Sequence, residues 1–293
     1  MNTGVNLLCF TASYALALAL EAAGLWIQYG WRRPAMLLAA GAGLAAHAWY
    51  LGKRVLETPA APLSSHHDWF LLGAWLLAAV YFVLVLYGKR SSLGLFVLPL
   101  ALGLIAASPF AATAPLAGSR APRFWGQLHG GLLMLGSLAV LLGLVTGIMY
   151  LVQSRRLKRK LPNSQRVPLP SLEWLERANS RSLAAAAICV GLGFLTGVVM
   201  RLATAGVASI RWTDPVVVSL GAMLGWLVLA EGFRLIYPAA RRGRKVAYLT
   251  VAAFLFLIAT LLSFTLRDSF HQTPEPAASG TASTGSPPPR GRA

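Results

Sequence analysis

Charge is scarce in this chain, and acid is scarcer still. Only 12% of its 293 residues are charged, nine Asp and Glu against 26 Lys and Arg. Soluble domains carry roughly twice that charged share to stay hydrated, so an ordinary water-exposed globule is excluded. Cysteine is almost absent. Cys9 and Cys189 fall in or beside apolar segments near opposite membrane faces, with no CxxC or CxxCH companion. A disulfide framework, a thioredoxin-like motif and a covalent haem attachment site are therefore excluded, and each thiol reads as a small packing residue. Also missing are GxSxG, a Walker sequence, HExxH, GxGxxG and alternating carboxylates. Hydrolase, ATPase and dehydrogenase chemistry lose their usual carriers, and no reaction on a substrate is indicated.

What fills the chain instead is hydrocarbon: 56% of residues are hydrophobic, and the mean hydropathy is +0.61. Apolar stretches long enough to cross a core of roughly 30 Å recur about eight times. They run near Leu7 to Tyr29, Pro34 to Leu51, Trp69 to Tyr87, Leu93 to Ala111, Leu128 to Leu151, Ser182 to Ala203, Val216 to Tyr237 and Val246 to Leu266. The pattern predicts an all-α, polytopic membrane bundle of about eight transmembrane helices. The excess of +17 is not gathered into a soluble basic domain, which argues against nucleic acid as a partner and for the lipid bilayer. Most of the basic residues fall in alternate gaps: Arg32 and Arg33; Lys89 and Arg90; Arg155 to Lys160 with Arg166, Arg177 and Arg181; and Arg241 to Lys245. By the positive-inside rule those gaps are cytoplasmic, so both termini are expected outside. The first span has Arg32 and Arg33 after it and no basic residue before it, the reverse of a secretory signal, and is expected to be retained.

The chain divides into a first four-span half, 1–112, an outer loop, 113–127, rich in Ala, Pro and Gly, and a second half, 128–271. The tail, 272–293, is Pro, Ser, Gly, Thr and Ala and is expected to be disordered. Between spans five and six, Pro162, Pro168 and Pro170 precede Ser171-Leu172-Glu173-Trp174-Leu175-Glu176-Arg177, which reads as an N-capped amphipathic surface helix or an interfacial anchor. Gly126 with Gly130, Gly143 with Gly147 and Gly193 with Gly197 have the spacing that lets helices approach closely.

All five histidines fall on or near the outer face once the spans are threaded. His129 opens span five, and His271 directly follows span eight, at roughly the same depth. Two neutral imidazoles across a flat cofactor supply both axial ligands of a haem iron. Each alone reads equally as an interfacial histidine bonded to water or headgroups. Arg211-Trp212-Thr213-Asp214-Pro215 offers an indole to stack on a porphyrin and a guanidinium to pair with a propionate, although tryptophan at a headgroup boundary is also ordinary belt chemistry. His47, at the outer end of span two, is a candidate for a transient haem ligand or proton acceptor. His66 and His67 read as a solvated loop. Glu231 and Arg234, three apart on one helical face, are expected to neutralise each other.

Together these residues resemble the cytochrome c assembly family of the CcsA, ResC and HemX type, over nearly the whole chain apart from the tail. The likeness lies in Gly43-Leu44-Ala45-Ala46-His47, Ala61-Pro62-Leu63-Ser64 and Leu93 to Ala101 in the first half. In the second half it lies in Leu128-His129, Met149-Tyr150-Leu151 and its basic run, Ser171 to Glu176, Trp212-Thr213-Asp214-Pro215 and Arg241 to Lys245. The resemblance implies haem b held without covalent attachment, with His129 and His271 as the paired outer ligands and Trp212, Asp214 and Pro215 as the remnant of the tryptophan-rich haem-handling segment. It implies a bacterial-type inner membrane, with apocytochrome c and a second assembly subunit as partners. The chain departs from the family pattern where Val216, Val217 and Val218 follow Asp-Pro and where Arg234 stands at a position expected to hold a membrane-embedded histidine. It is closer to the short HemX-like branch. A non-haem accessory or regulatory factor of haem synthesis or respiratory complex assembly is the alternative, and a secondary transporter ranks last because polar groups in the spans are sparse.

Overall fold

A computed structural model describes residues 3–26, 30–57, 65–88, 92–113, 123–159, 168–205, 213–236 and 244–270. They form eight α-helices and no strand: α1 Thr3–Ala23, α2 Arg32–Glu57, α3 His66–Tyr87, α4 Gly94–Ala107, α5 Arg123–Lys158, α6 Leu172–Ala205, α7 Pro215–Ile236 and α8 Arg244–Phe270, with a 3-10 turn Ser108–Phe110 after α4. Six of them, α2, α3, α5, α6, α7 and α8, are long and apolar enough to cross a membrane. The apolar parts of α1 and α4, Leu7–Ala23 and Gly94–Phe110, are shorter.

Two rings of four helices result. In the first, α1 packs on α2 and α4, and α3 packs on both of these. In the second, α5 packs on α6 and α8, and α7 on both of these. The halves meet where α3 and α4 touch α5. At one end of this junction a Cβ on Gly130 of α5 would stand 2.8 Å from the indole of Trp69 of α3. At the other, the Ser92 N–H donates to the Pro168 carbonyl at 2.9 Å.

Polar side chains in the first ring serve mainly to close helix ends, whose last carbonyls and first N–H groups lack partners within their own helix. Arg32 donates to the Leu20 carbonyl near the end of α1 at 3.1 Å, and Arg33 to the Val85 and Gly88 carbonyls at the end of α3 at 3.2 and 3.1 Å. Glu21 is 5% exposed and serves two donors: Gly94 N–H at the start of α4, 3.1 Å from Oε1, and the Tyr81 hydroxyl, 2.8 Å from Oε2. A Cβ at Gly94 would overlap that carboxylate, so the approach requires glycine. At the opposite end Ser65 caps α3 by accepting from Asp68 N–H at 3.1 Å, and Asp68 meets Arg54 of α2 at 2.6 Å.

The expected solvated loop at His66 and His67 is instead the first turn of α3. His67 is buried because its Nδ1 donates to the Ser108 carbonyl at 2.9 Å and its backbone N–H to the Ala112 carbonyl at 3.2 Å, which ties α3 to the turn after α4. The segment at Ser171, read as a surface helix or as an interfacial anchor leading into span six, is the opening of α6, ten residues before the expected span. Ser171 accepts from the Trp174 N–H at 3.3 Å, and the helix then runs unbroken to Ala205. Likewise α5 begins at Arg123, inside the segment expected to be the outer loop. Positions 114–122 and the tail lie outside the described residues.

The second ring is held by close approach. Val190 and Cys189 of α6 crowd Gly136, and Thr250 of α8 lies 3.0 Å from where a Cβ on Gly143 would sit. Gly147 packs against Ala247 and Thr250, whereas Gly126, of the same spacing, meets nothing within 4 Å. Asn179 Oδ1 accepts from Thr250 at 2.9 Å and from Thr146 at 3.5 Å, joining α6 to α8 and α5. Arg234 donates to both oxygens of Glu231, through Nε at 2.9 Å and through its terminal nitrogen, as the three-residue spacing implied.

Gly94→Ala should lower the unfolding midpoint of the detergent-solubilised protein markedly, by about 1–3 kcal/mol of stability, because the carboxylate is forced off its donors. Gly221→Ala, at a glycine with nothing within 4 Å, is the control and should leave the midpoint within error. Equal melting of both variants would refute the role given to Glu21.

Candidate functional site

His129 lies in the second turn of α5, and its ring is seated on α6 in the notch left by Gly197, one turn after Gly193, whose own bare face takes Leu133 of α5. A Cβ on Gly197 would stand 2.7 Å from Cε1 and 3.1 Å from Nδ1 of the imidazole, so only glycine admits the ring there. Nδ1 is 2.7 Å from the Gly193 carbonyl, which also accepts from the Thr196 hydroxyl at 2.8 Å. A carbonyl can only accept, so the proton of the neutral ring resides on Nδ1. The lone pair is then on Nε2. A nitrogen freed and oriented by a hydrogen bond at the other side of its ring is the usual preparation of a histidine for an iron or zinc ion. Gly130, the next residue, meets Trp69 of α3, so this turn of α5 lies at the junction of the two halves while the ring itself faces α6.

His47 is elsewhere. It is fully buried between α1 and α2, stacked on Phe10 with ring centroids 4.0 Å apart and planes 3° from parallel. Its Nδ1 is 3.4 Å from the Tyr14 hydroxyl, and its Nε2 has no hydrogen-bond partner among the described residues. Since α3 and α4, not α1 and α2, carry the first half's contact with α5, His47 and His129 do not share a site.

Asp214 opens α7. Its Oδ1 accepts from Val216 N–H at 3.0 Å, its backbone carbonyl accepts from Val218 N–H at 2.9 Å, and Pro215 occupies the first helical position, where a missing N–H costs nothing. This is N-cap geometry, so the Asp-Pro pair has a complete structural role without a cofactor. Arg211, Trp212 and His271 lie outside the described residues. Among the described residues no group of three or more His, Cys, Asp or Glu side chains gathers as a metal cluster would. One histidine with one open nitrogen fits a single axial position on a haem better than it fits a metal ion held by protein ligands alone.

Neither protein-family models, curated proteins nor solved structures give a match to the chain. The geometry therefore stands on its own. The partners of His129 that inspection of titratable residues passed over are Gly193, Thr196 and Gly197. Their signal was the small-residue spacing in span six, which reads as generic packing until a ring is found in the notch.

Gly197→Ala should eject the imidazole from α6 and break its bond to Gly193. We expect a stability loss of about 1–3 kcal/mol together with a shifted Nδ1 resonance in nitrogen NMR of histidine-labelled protein. An unchanged resonance would show that the ring does not depend on the notch.

Proposed function

We propose that this protein is a multi-pass membrane protein of cytochrome c assembly that holds haem b at the outer face between His129 and His271. In this reading all eight helices span the membrane, α1 and α4 as the shortest, and both termini are outside. The membrane is of the bacterial inner type.

The observation that carries the reading is the 2.7 Å contact of His129 Nδ1 with the Gly193 carbonyl, which selects the Nδ1–H tautomer. Fixed by Gly193, the ring presents Nε2 as an electron-pair donor without needing to lose a proton or rotate. The course of α8 adds to it. Arg244 meets Ser154 at 2.9 Å, and Ala247 and Thr250 meet Gly147 and Gly143, so α8 runs antiparallel to α5. It climbs from Thr250 to Phe270 while α5 descends from His129 to Gly143, about 30 Å against about 21 Å at 1.5 Å per residue. The last turn of α8 thus reaches the end of the bundle that holds His129, and His271 follows Phe270 in the chain. In the chain Arg211 and Trp212 come shortly before Pro215, the first residue of α7, and their side chains suit a propionate and a porphyrin face respectively.

Haem in this role is cargo, destined for apocytochrome c, with a second assembly subunit completing the site. Asp214 contributes by starting α7 and thereby positioning the segment before it. The alternative, a non-haem accessory factor for haem synthesis or respiratory complex assembly, is favoured by one observation: the Nδ1 bond of His129 already ties α5 to α6, so the residue has a structural use.

An absorption spectrum separates the two. Protein expressed with ample haem should show a Soret band with the α and β bands of six-coordinate iron. His129→Ala and His271→Ala should each abolish the six-coordinate form and weaken retention by about 10-fold or more, while His47→Ala should retain both. No Soret band in the parent protein, or one indifferent to both substitutions, would leave the accessory reading.

A further inference from the structure

The second ring carries cations at the end opposite His129 that are not consumed in closing helices. α5 has 36 residues, about 54 Å at 1.5 Å per residue, against a hydrocarbon core of roughly 30 Å. Its apolar run ends at Leu151, and Arg155 and Lys158 stand about 6 and 10 Å further along the axis, the depth of the phosphates. Arg155, Lys158 and Arg159 are exposed. α8 starts beside them: Arg244 Nε donates to Ser154 of α5 at 2.9 Å, which holds its guanidinium between the two helices, and Lys245 next to it is exposed. One turn deeper on α8, Tyr248 is 51% exposed, an aromatic ring at the level where glycerol esters would lie. Acid is nearly missing. In this half Glu173, Glu176 and Glu231 lie toward that end among the described residues; Glu173 is paired with Arg177 and Glu231 with Arg234, each of its own helix, and Glu176 stands near Tyr150, as Arg244 does.

From this arrangement we infer that the surface where the end of α5 adjoins the start of α8 is a binding site for an anionic phospholipid, its phosphate met by Arg155, Lys158, Arg244 and Lys245 and its glycerol region laid against Tyr248. Two features separate this site from the general basic bias of a membrane protein's inner loops. The cations come from two helices whose ends are joined by the Arg244–Ser154 bond, so both sets stand at one end of the bundle. The tyrosine extends the site from headgroup depth into the acyl boundary, which a soluble polyanion would not use. Among the described residues of the first ring, by contrast, the cations at the corresponding helix ends, Arg32 and Arg33, are spent on carbonyls. The inference does not depend on haem binding and needs only that the helices cross the bilayer.

The test is native mass spectrometry of the full chain released from nanodiscs of phosphatidylcholine mixed with phosphatidylglycerol. Phosphatidylglycerol should be retained in preference to phosphatidylcholine. Because a cation near the surface contributes on the order of fivefold in association, the combined variant Arg155→Gln, Lys158→Gln, Lys245→Gln should lose about a hundredfold. Lys53→Gln, an exposed cation at the other end, should lose nothing. Tyr248→Ala should shorten retention without abolishing the preference. Equal melting of parent and variants establishes that folding is intact, and a melting loss would move the comparison to the single variant Lys245→Gln. Three results would overturn the inference: equal retention of both lipids, a preference untouched by the combined variant, or displacement of the lipid by excess inorganic phosphate or by an acidic peptide, which would make the patch a site for soluble anions.

Discussion

Every helix end in this bundle faces the same constraint: a carbonyl or N–H left over at the last turn has no water to turn to once it lies near hydrocarbon. The first ring meets it with a small number of charged side chains used as caps. Arg32 and Arg33 take the carbonyls of α1 and α3, and Glu21 takes the first N–H of α4 along with the Tyr81 hydroxyl. The cations that mark topology in the sequence are thus, in this half, also the groups that let the helices stop. That double use explains how so apolar a chain keeps a buried carboxylate: its oxygens are fully engaged, and an isolated charge there would be far more costly than a bonded one.

The second ring solves the matter differently. Its helices α5 and α6 are the longest of the bundle, 36 and 34 residues, and their ends extend past the apolar stretch, so fewer caps are required. What this half needs is close contact along the helix axes, and glycine supplies it at Gly136, Gly143, Gly147, Gly193 and Gly197. The buried Asn179 then joins three helices through the hydroxyls of Thr146 and Thr250.

Much of the architecture was legible in the sequence, because hydrocarbon thickness sets span length and the long apolar runs have few competing readings. The pairing of Glu231 with Arg234 was legible too, since three residues of helix bring two side chains to one face. What escaped was decided by partners distant in sequence. His66 and His67 look like loop residues until Ser108 and Ala112 fold back to accept bonds from His67. Ser171 reads locally either as the start of a surface helix or as an anchor leading into span six, and its pattern alone does not decide that the helix runs unbroken through Asn179. Asp214 and Pro215 look like part of a cofactor segment, and their cap geometry was available in the Asp-Pro order had it been weighed as a helix start. The notch for His129 needed both a histidine on α5 and the spacing on α6, two unremarkable signals that acquire meaning only in contact.

The seat of His129 has a mechanical corollary. The imidazole belongs to one helix and its anchor to another, so its orientation records their relative register: a slide of α6 by one residue, about 1.5 Å, would carry the Gly193 oxygen away from Nδ1 and bring a side chain against the ring. The ring therefore works as a vernier between two rods, turning a small axial displacement into a change in where a lone pair is aimed. Anything that presses on the far ends of α5 and α6 is felt, through two stiff helices, at that nitrogen.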